Sequence, residues 1–221
     1  KDQVLLTAYS QGGYLLEKEV PNIVRQTLDD MFSVGGIGQF KTTDLPKVLA
    51  GKNVSCSTSI SDDSEVVSGS AAPKDLRTLF ELTYLRFQEP SKDIDGYNNF
   101  MSMLRSQLAN IEKSPDKAFS DSISVTLYSH NPRKQSIKLN DLDKVSYEGI
   151  RQIYRERFQS VGDFDFYFTG NFDEDSLLCY VEQYIAPLKG LKKREQFTDL
   201  GIRYVKGQVE NRFSRDMETP Q

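Results

Sequence analysis

One histidine, His130, and two cysteines, Cys56 and Cys179, are all the chain has of the side chains that most often hold zinc or form a nucleophile–base pair. His130 sits before Asn131-Pro132 and reads as a turn histidine, because a ligand would need partners that the sequence lacks. Two cysteines exclude a disulfide framework and a Cys-rich metal site. Both fall in segments expected to be ordered, so they are expected to be buried free thiols, and neither has a His near it in sequence. No apolar run approaches the roughly 20 residues of a membrane span. Positive charge is not in excess: 28 Lys and Arg stand against 32 Asp and Glu, for a net charge of -4 and a pI near 5.2. That balance argues against a nucleic-acid surface, and the short basic group Lys189, Lys192, Lys193 and Arg194 reads as a solvated linker.

What is present describes a globular chain. It has 221 residues, 38% hydrophobic and 27% charged, with mean hydropathy -0.53. That length suits one large domain or two small ones. It can bury roughly 70% of the unfolded surface, so no metal or disulfide is needed to hold it.

Pro21 to Gly36 carries the most information. Apolar residues recur at Val20, Ile23, Val24, Leu28, Met31 and Val34, the period of a helix with one buried stripe. Pro21 suits a first turn and Gly35-Gly36 a stop. Gln26, Asp29 and Asp30 lie between the apolar positions at offsets of three and four, so they share a face. Asp29 and Asp30 do not make a paired-carboxylate hydrolytic site, since neighbours on a helix point about 100° apart.

The remaining elements follow from period and punctuation. Gln3–Ser10 is a strand, Thr43–Ala50 a short helix capped by Thr42 or Thr43, and Asn53–Ile60 and Glu65–Ala72 a hairpin with one serine-rich face. Helices are expected after Pro73-Lys74-Asp75, over Tyr97–Glu112, from Ser114-Pro115 to about Tyr128, and after Ser146. Leu139–Lys144 reads as a connecting loop. Asp163–Thr169 alternates Phe164, Phe166 and Phe168 with other residues and is the clearest strand. Asp173 caps a helix that packs Leu177, Leu178, Val181, Tyr184 and Ile185. Pro187–Gly201 is linker-like, and Tyr204–Phe213 is a candidate last strand. The order gives an α+β fold, a mostly antiparallel sheet with helices packed on one face.

Gln26-x-x-Asp29-Asp30-Met31-Phe32 resembles the His-x-x-Glu-His helix of the insulinase/pitrilysin zinc peptidases, in which two His hold the metal and the Glu activates its water. The resemblance extends along nearly the whole chain. Asn53-Val54-Ser55-Cys56-Ser57-Thr58 through Pro73-Lys74-Asp75-Leu76 matches the hairpin after that helix. Phe166-Tyr167-Phe168-Thr169-Gly170-Asn171 matches the late strand. Arg105-Ser106-Gln107-Leu108 and Glu112-Lys113-Ser114-Pro115-Asp116 match the segment carrying the third ligand, a Glu. Gln107, 77 residues after Asp30, occupies that ligand's place, or Ser106 after a slip of one.

The resemblance implies a metallohydrolase roll of the mitochondrial processing peptidase type, with residues 1–190 as one α+β domain lacking the zinc motif. Residues 191–221 would be a linker and lead-in to a following domain. At the motif positions Gln26, Asp29, Asp30 and Gln107, only Asp30 suits a metal as a replaced ligand, so neither a catalytic nor a metal site is expected. The chain would be a metal-free domain from the second half of a two-half zinc endopeptidase, walling the peptide chamber opposite the zinc-bearing half. Its partners would be other domains of the same polypeptide and the peptide substrate. The alternative is a degenerate, non-enzymatic scaffold subunit of a peptidase-like complex. A bacterial periplasmic or exported setting is favoured over a cytoplasmic one.

Overall fold

A computed structural model describes residues 2–16, 20–34, 36–88, 90, 92–190, 195 and 198–212. Its centre is a four-stranded antiparallel sheet of β1 (Val4–Gln11), β2 (Val54–Ile60), β3 (Ser64–Ala71) and β4 (Asp165–Gly170), in the order β2-β3-β1-β4. β1 is an inner strand although it comes first in sequence. It pairs Val4 with Ala71 on one side and with Gly170 on the other.

The period-two alternation decides which face of the sheet is covered. Val4, Leu6 and Ala8 of β1, Val67 and Ala71 of β3, and Ile60 of β2 are buried, while Leu5 and Tyr167 point to solvent. The serine face of the hairpin is exposed and laddered by hydroxyl pairs, Ser55 with Ser70 at 3.0 Å and Ser57 with Ser68 at 3.2 Å. Helix α1 (Asn22–Val34) packs on β2, and α3 (Leu76–Arg86) lies across β2 and β3. α3 sits close enough that a Cβ on Gly69 would come within 2.5 Å of Leu79 Cδ1. Leu79 and Phe80 are fully enclosed there, each stabilising the fold by roughly 1.5–3 kcal/mol.

Short α2 (Leu45–Val48) and long α4 (Ile94–Ile111) follow, then α5 (Pro115–Leu127), α6 (Tyr147–Phe158) and α7 (Glu174–Tyr180). Their starts follow the caps in the sequence. Ser114 accepts from the Lys117 N–H, Ser146 from the Gly149 N–H and Asp173 from the Ser176 N–H. Aromatic rings join the helical layer to β4. Phe80 stacks on Phe168 with centroids 5.1 Å apart, and Phe87 meets Phe166 at 5.7 Å and, just before the strand, Phe164 edge-on at 5.0 Å. The Tyr154 hydroxyl donates to the Arg86 carbonyl at 2.6 Å.

Several expectations are corrected. α2 is a single turn without a threonine cap, because it starts at Leu45 with Asp44 in the cap position, while the Thr42 N–H is bound by the Asp93 carboxylate at 3.1 Å. Leu139–Lys144 is a 3-10 helix that buries Leu142. Leu178 and Cys179 are exposed, since α7 and the π-turn that follows it (Val181–Ile185) rest on α3 through Tyr180, Tyr184 and Ile185 instead. Cys56 is half-buried, with its thiol 3.8 Å from the Thr83 hydroxyl. The chain past Pro187 is still part of the core at first, with Leu188 buried and the Lys189 carbonyl accepting from the Val161 N–H at 2.8 Å. Residues 204–212 form no strand. They run along α5 instead, where the Val205 N–H donates to the Leu127 carbonyl and Tyr204 stacks on Tyr128 at 4.9 Å. Gly35, Lys192, Lys193, Arg194 and residues 213–221, and the side chain of Val34, lie outside what is described.

Candidate functional site

Ile23, Val24, Leu28, Met31 and Phe32 form the buried stripe of α1, and this fixes what the opposite face presents. Gln26, Asp29 and Asp30 are exposed, yet two of the three are engaged by neighbouring segments. Gln26 Nε2 donates to the Gln135 carbonyl at 2.9 Å, as does Asn22 Nδ2, which also reaches the Pro132 carbonyl. The Asp29 carboxylate accepts from the Ile60 N–H at 3.0 Å. Partial burial raises its pKa, the Ile60 N–H opposes that shift, and the Asp30 charge adds to it. The segment 132–136 is thus pinned across the first turns of the helix.

Gln107 and Ser106 are exposed on α4, and Ser106 bonds its own helix through the Ser102 carbonyl at 3.1 Å. Among the described residues no hydrogen bond joins Gln107 to Gln26 or Asp30. No group of three or more His, Cys, Asp or Glu among the described residues is placed to hold a metal. Two amides and one carboxylate, the set that the resemblance assigns to the ligand positions, do not fit zinc, which takes imidazole, thiolate or carboxylate. The donated N–H of Gln26 is moreover tied to a backbone carbonyl.

The structure assembles two groups that the sequence did not single out. One is a buried ion pair beside the sheet. Glu65, 1% exposed, accepts from the Gly13 N–H at 2.8 Å and lies 3.4 Å from Arg157, which also meets Glu195 at 2.7 Å. The other is a hollow of about 410 Å3 at the start of α1, lined by Tyr14, Arg25, Gln26, Asp62, Arg133 and Lys134 among others. Its floor is set by a 3-10 turn (Gly13–Leu15) docked on the hairpin turn, with Tyr14 N–H to Ser61 O at 3.0 Å and Leu15 N–H to Asp62 O at 2.8 Å. Gly13 allows this docking. It has φ of 63°, and a Cβ would come within 2.5 Å of the Ser61 carbonyl. Arg25 and Arg133 are 108 positions apart in sequence, so no local pattern announces their meeting.

No established family profile matches the chain. The probable zinc protease PqqL of Escherichia coli is 21% identical over 157 residues, covering 71% of this chain and 17% of PqqL. The crystal structure of that periplasmic protease superposes with TM-score 0.75 at 19% identity, over 90% of this chain and 22% of PqqL. A mutant of the ferredoxin protease FusC, solved with Arabidopsis ferredoxin, gives 0.76 at 20% identity, over 92% of this chain and 22% of FusC. A peptidase M16 inactive domain from Pseudomonas fluorescens gives 0.65 at 13% identity, over 89% of this chain and 49% of that one. The chain spans about a fifth of the length of the two proteases. It has the fold of an M16 peptidase domain, and its detectable sequence relationship to a zinc protease of that fold bears out the resemblance to the insulinase/pitrilysin family.

Proposed function

We propose that this chain is a non-catalytic domain of a zinc-dependent endopeptidase, forming the wall of the peptide chamber opposite the zinc-bearing part. The observation that carries the reading is the polar face of α1. By the resemblance it takes the place of the metal helix; it offers Gln26, Asp29 and Asp30, and has Gln26 and Asp29 already bonded to Gln135 and Ile60. Peptide hydrolysis needs a polarising metal or an activated nucleophile with a positioned base, and this face supplies neither. Its partners are then the other domains of a longer polypeptide and the peptide that the whole enzyme cleaves. The zinc belongs to another part of that polypeptide. A bacterial periplasmic setting is part of the proposal, supported by PqqL's description as a periplasmic protease.

The test compares the 221-residue chain with the full-length protein that contains it, on a quenched fluorescent peptide with and without chelator. The fragment is expected to be inactive with or without added zinc, and the longer protein to cleave in a chelator-sensitive way. Chelator-sensitive turnover by the fragment alone would refute the reading. An inactive full-length protein would favour a scaffold subunit of a peptidase-like complex.

A further inference from the structure

Between α2 and α3 the described residues enclose an apolar cleft of about 320 Å3, a size at which small-molecule sites occur. Leu45, Val48 and Leu49 line one side and Leu82 and Leu85 of α3 the other. α2 is a single turn that buries none of its own residues, and Val48 stays 49% exposed. Its apolar side chains border the cleft instead of closing it, so the dispersion contacts of a packed interface are forgone there. One charge is set at the rim. Lys52 follows the turn that ends α2, with its own N–H on the Leu49 carbonyl at 3.0 Å and the next N–H, of Asn53, on the buried Asp75 carboxylate at 2.9 Å. The backbone is thus held on both sides of Lys52. Its ammonium donates to the hydroxyl of buried Thr78 at 2.7 Å, and both residues line the cleft. Among the described residues no carboxylate pairs with that ammonium. Glu81, the acidic residue among those that line the cleft, is already held by Arg77 Nε at 3.0 Å and by the Tyr184 hydroxyl at 3.3 Å.

We propose that this cleft binds a medium-chain fatty acid, its hydrocarbon tail between α2 and α3 and its carboxylate on the Lys52 ammonium. Charge complementarity sets the sign of the ligand: Arg77 matches Glu81, and the charge left without a counterion is that of Lys52. The hydrocarbon walls set its body. A peptide would bring backbone N–H and C=O groups against leucine and valine side chains that cannot meet them, and each unmet group costs free energy. A fatty acid brings one ionised group and no other polar atom. Its tail and the side chains of Leu45, Val48 and Leu49 leave water together. This site is independent of the chamber-wall reading, which concerns the polar face of α1.

Calorimetric titration of the 221-residue chain with hexanoate, octanoate and decanoate, each below its micelle concentration, tests the assignment, with octanol as the uncharged counterpart. Affinity is expected to rise about ten-fold for each two methylenes added. Octanoate should bind about five-fold more tightly than octanol, and salt should weaken only the acid. Lys52→Met should bring octanoate down to the level of octanol and leave octanol unchanged, and Lys52→Arg should restore the preference. Val48→Phe should occlude the cleft and weaken acid and alcohol alike. Each variant is read with a thermal melt, and because Lys52 is exposed its variants carry the test even where Val48→Phe lowers stability. Equal affinity for octanoate and octanol, no dependence on chain length, or full octanoate binding by Lys52→Met would overturn the assignment. Tighter binding of an N-acetylated, amidated leucine–alanine peptide than of octanoate would overturn it too, and would make the cleft a peptide groove.

Discussion

Glu65 is the residue whose chemistry is most altered by the fold. Burial raises its pKa from 4.5 to about 6, against the opposing pull of the Gly13 N–H and Arg157, while Glu195 adds to the rise. A carboxyl with a raised folded-state pKa binds its proton more tightly when folded than when unfolded. Its contribution is therefore fully present below about pH 4.5 and lost as pH rises through about 6. The difference corresponds to about 2 kcal/mol. Urea titrations across that window should show this loss, and Glu65→Gln should flatten it while keeping an acceptor for Gly13. An unchanged slope in the variant would place the titration elsewhere. Nothing local marks Glu65 in the sequence. It follows Ser64 in a hairpin strand, and its burial comes from Arg157, 92 residues away, and from the Gly13 turn.

At the scale of the element, α1 makes the sharpest contrast between two faces. Leu28 is fully buried on the sheet side, whereas Gln26 is exposed and holds one surface bond to Gln135. Leu28→Ala is expected to cost roughly 2–5 kcal/mol. Gln26→Ala should cost about 0.5 kcal/mol or less. Asp29→Ala falls between at about 1 kcal/mol, because it leaves the Ile60 N–H without its acceptor. Equal losses at Gln26 and Leu28 in denaturant melts would mean the faces are reversed. This helix was legible because its apolar period, an entering proline and a glycine stop agree. β4 was legible through alternating phenylalanines, and α5, α6 and α7 through their Ser and Asp caps. Pattern alone does not say whether a neighbour arrives to cover an apolar residue. Leu178 repeats at the right spacing and still faces solvent, and α5 buries none of its residues while Phe119 is 61% exposed. Tyr204–Phe213 has strand-like composition, yet its described part lies along α5 because the Tyr128 ring and the Leu127 carbonyl receive it. That Gln26, Asp29 and Asp30 share an exposed face of α1, and that Gln107 lies on a long helix, was legible from the period. The hollow was not, since its cations come from two distant segments that only the tertiary fold brings together.

For the molecule as a whole, the strand order has a consequence in time. β1 is an inner strand, and its two neighbours lie at very different distances along the chain. β3 follows after about 50 residues and β4 only after about 150. Closing the longer loop costs more chain entropy and is slower. Pulse-labelled refolding should therefore protect the β2–β3 hairpin and its pairing with β1 before the β1–β4 ladder, and simultaneous protection would contradict this. During synthesis on the ribosome the same order leaves one side of β1, with its unpaired amides and carbonyls, open until Phe166 and Phe168 have emerged. In that interval the strand is a template for any extended segment nearby. A nascent chain stalled before residue 165 has emerged is thus expected to recruit holding chaperones, and one stalled after residue 170 has emerged to release them.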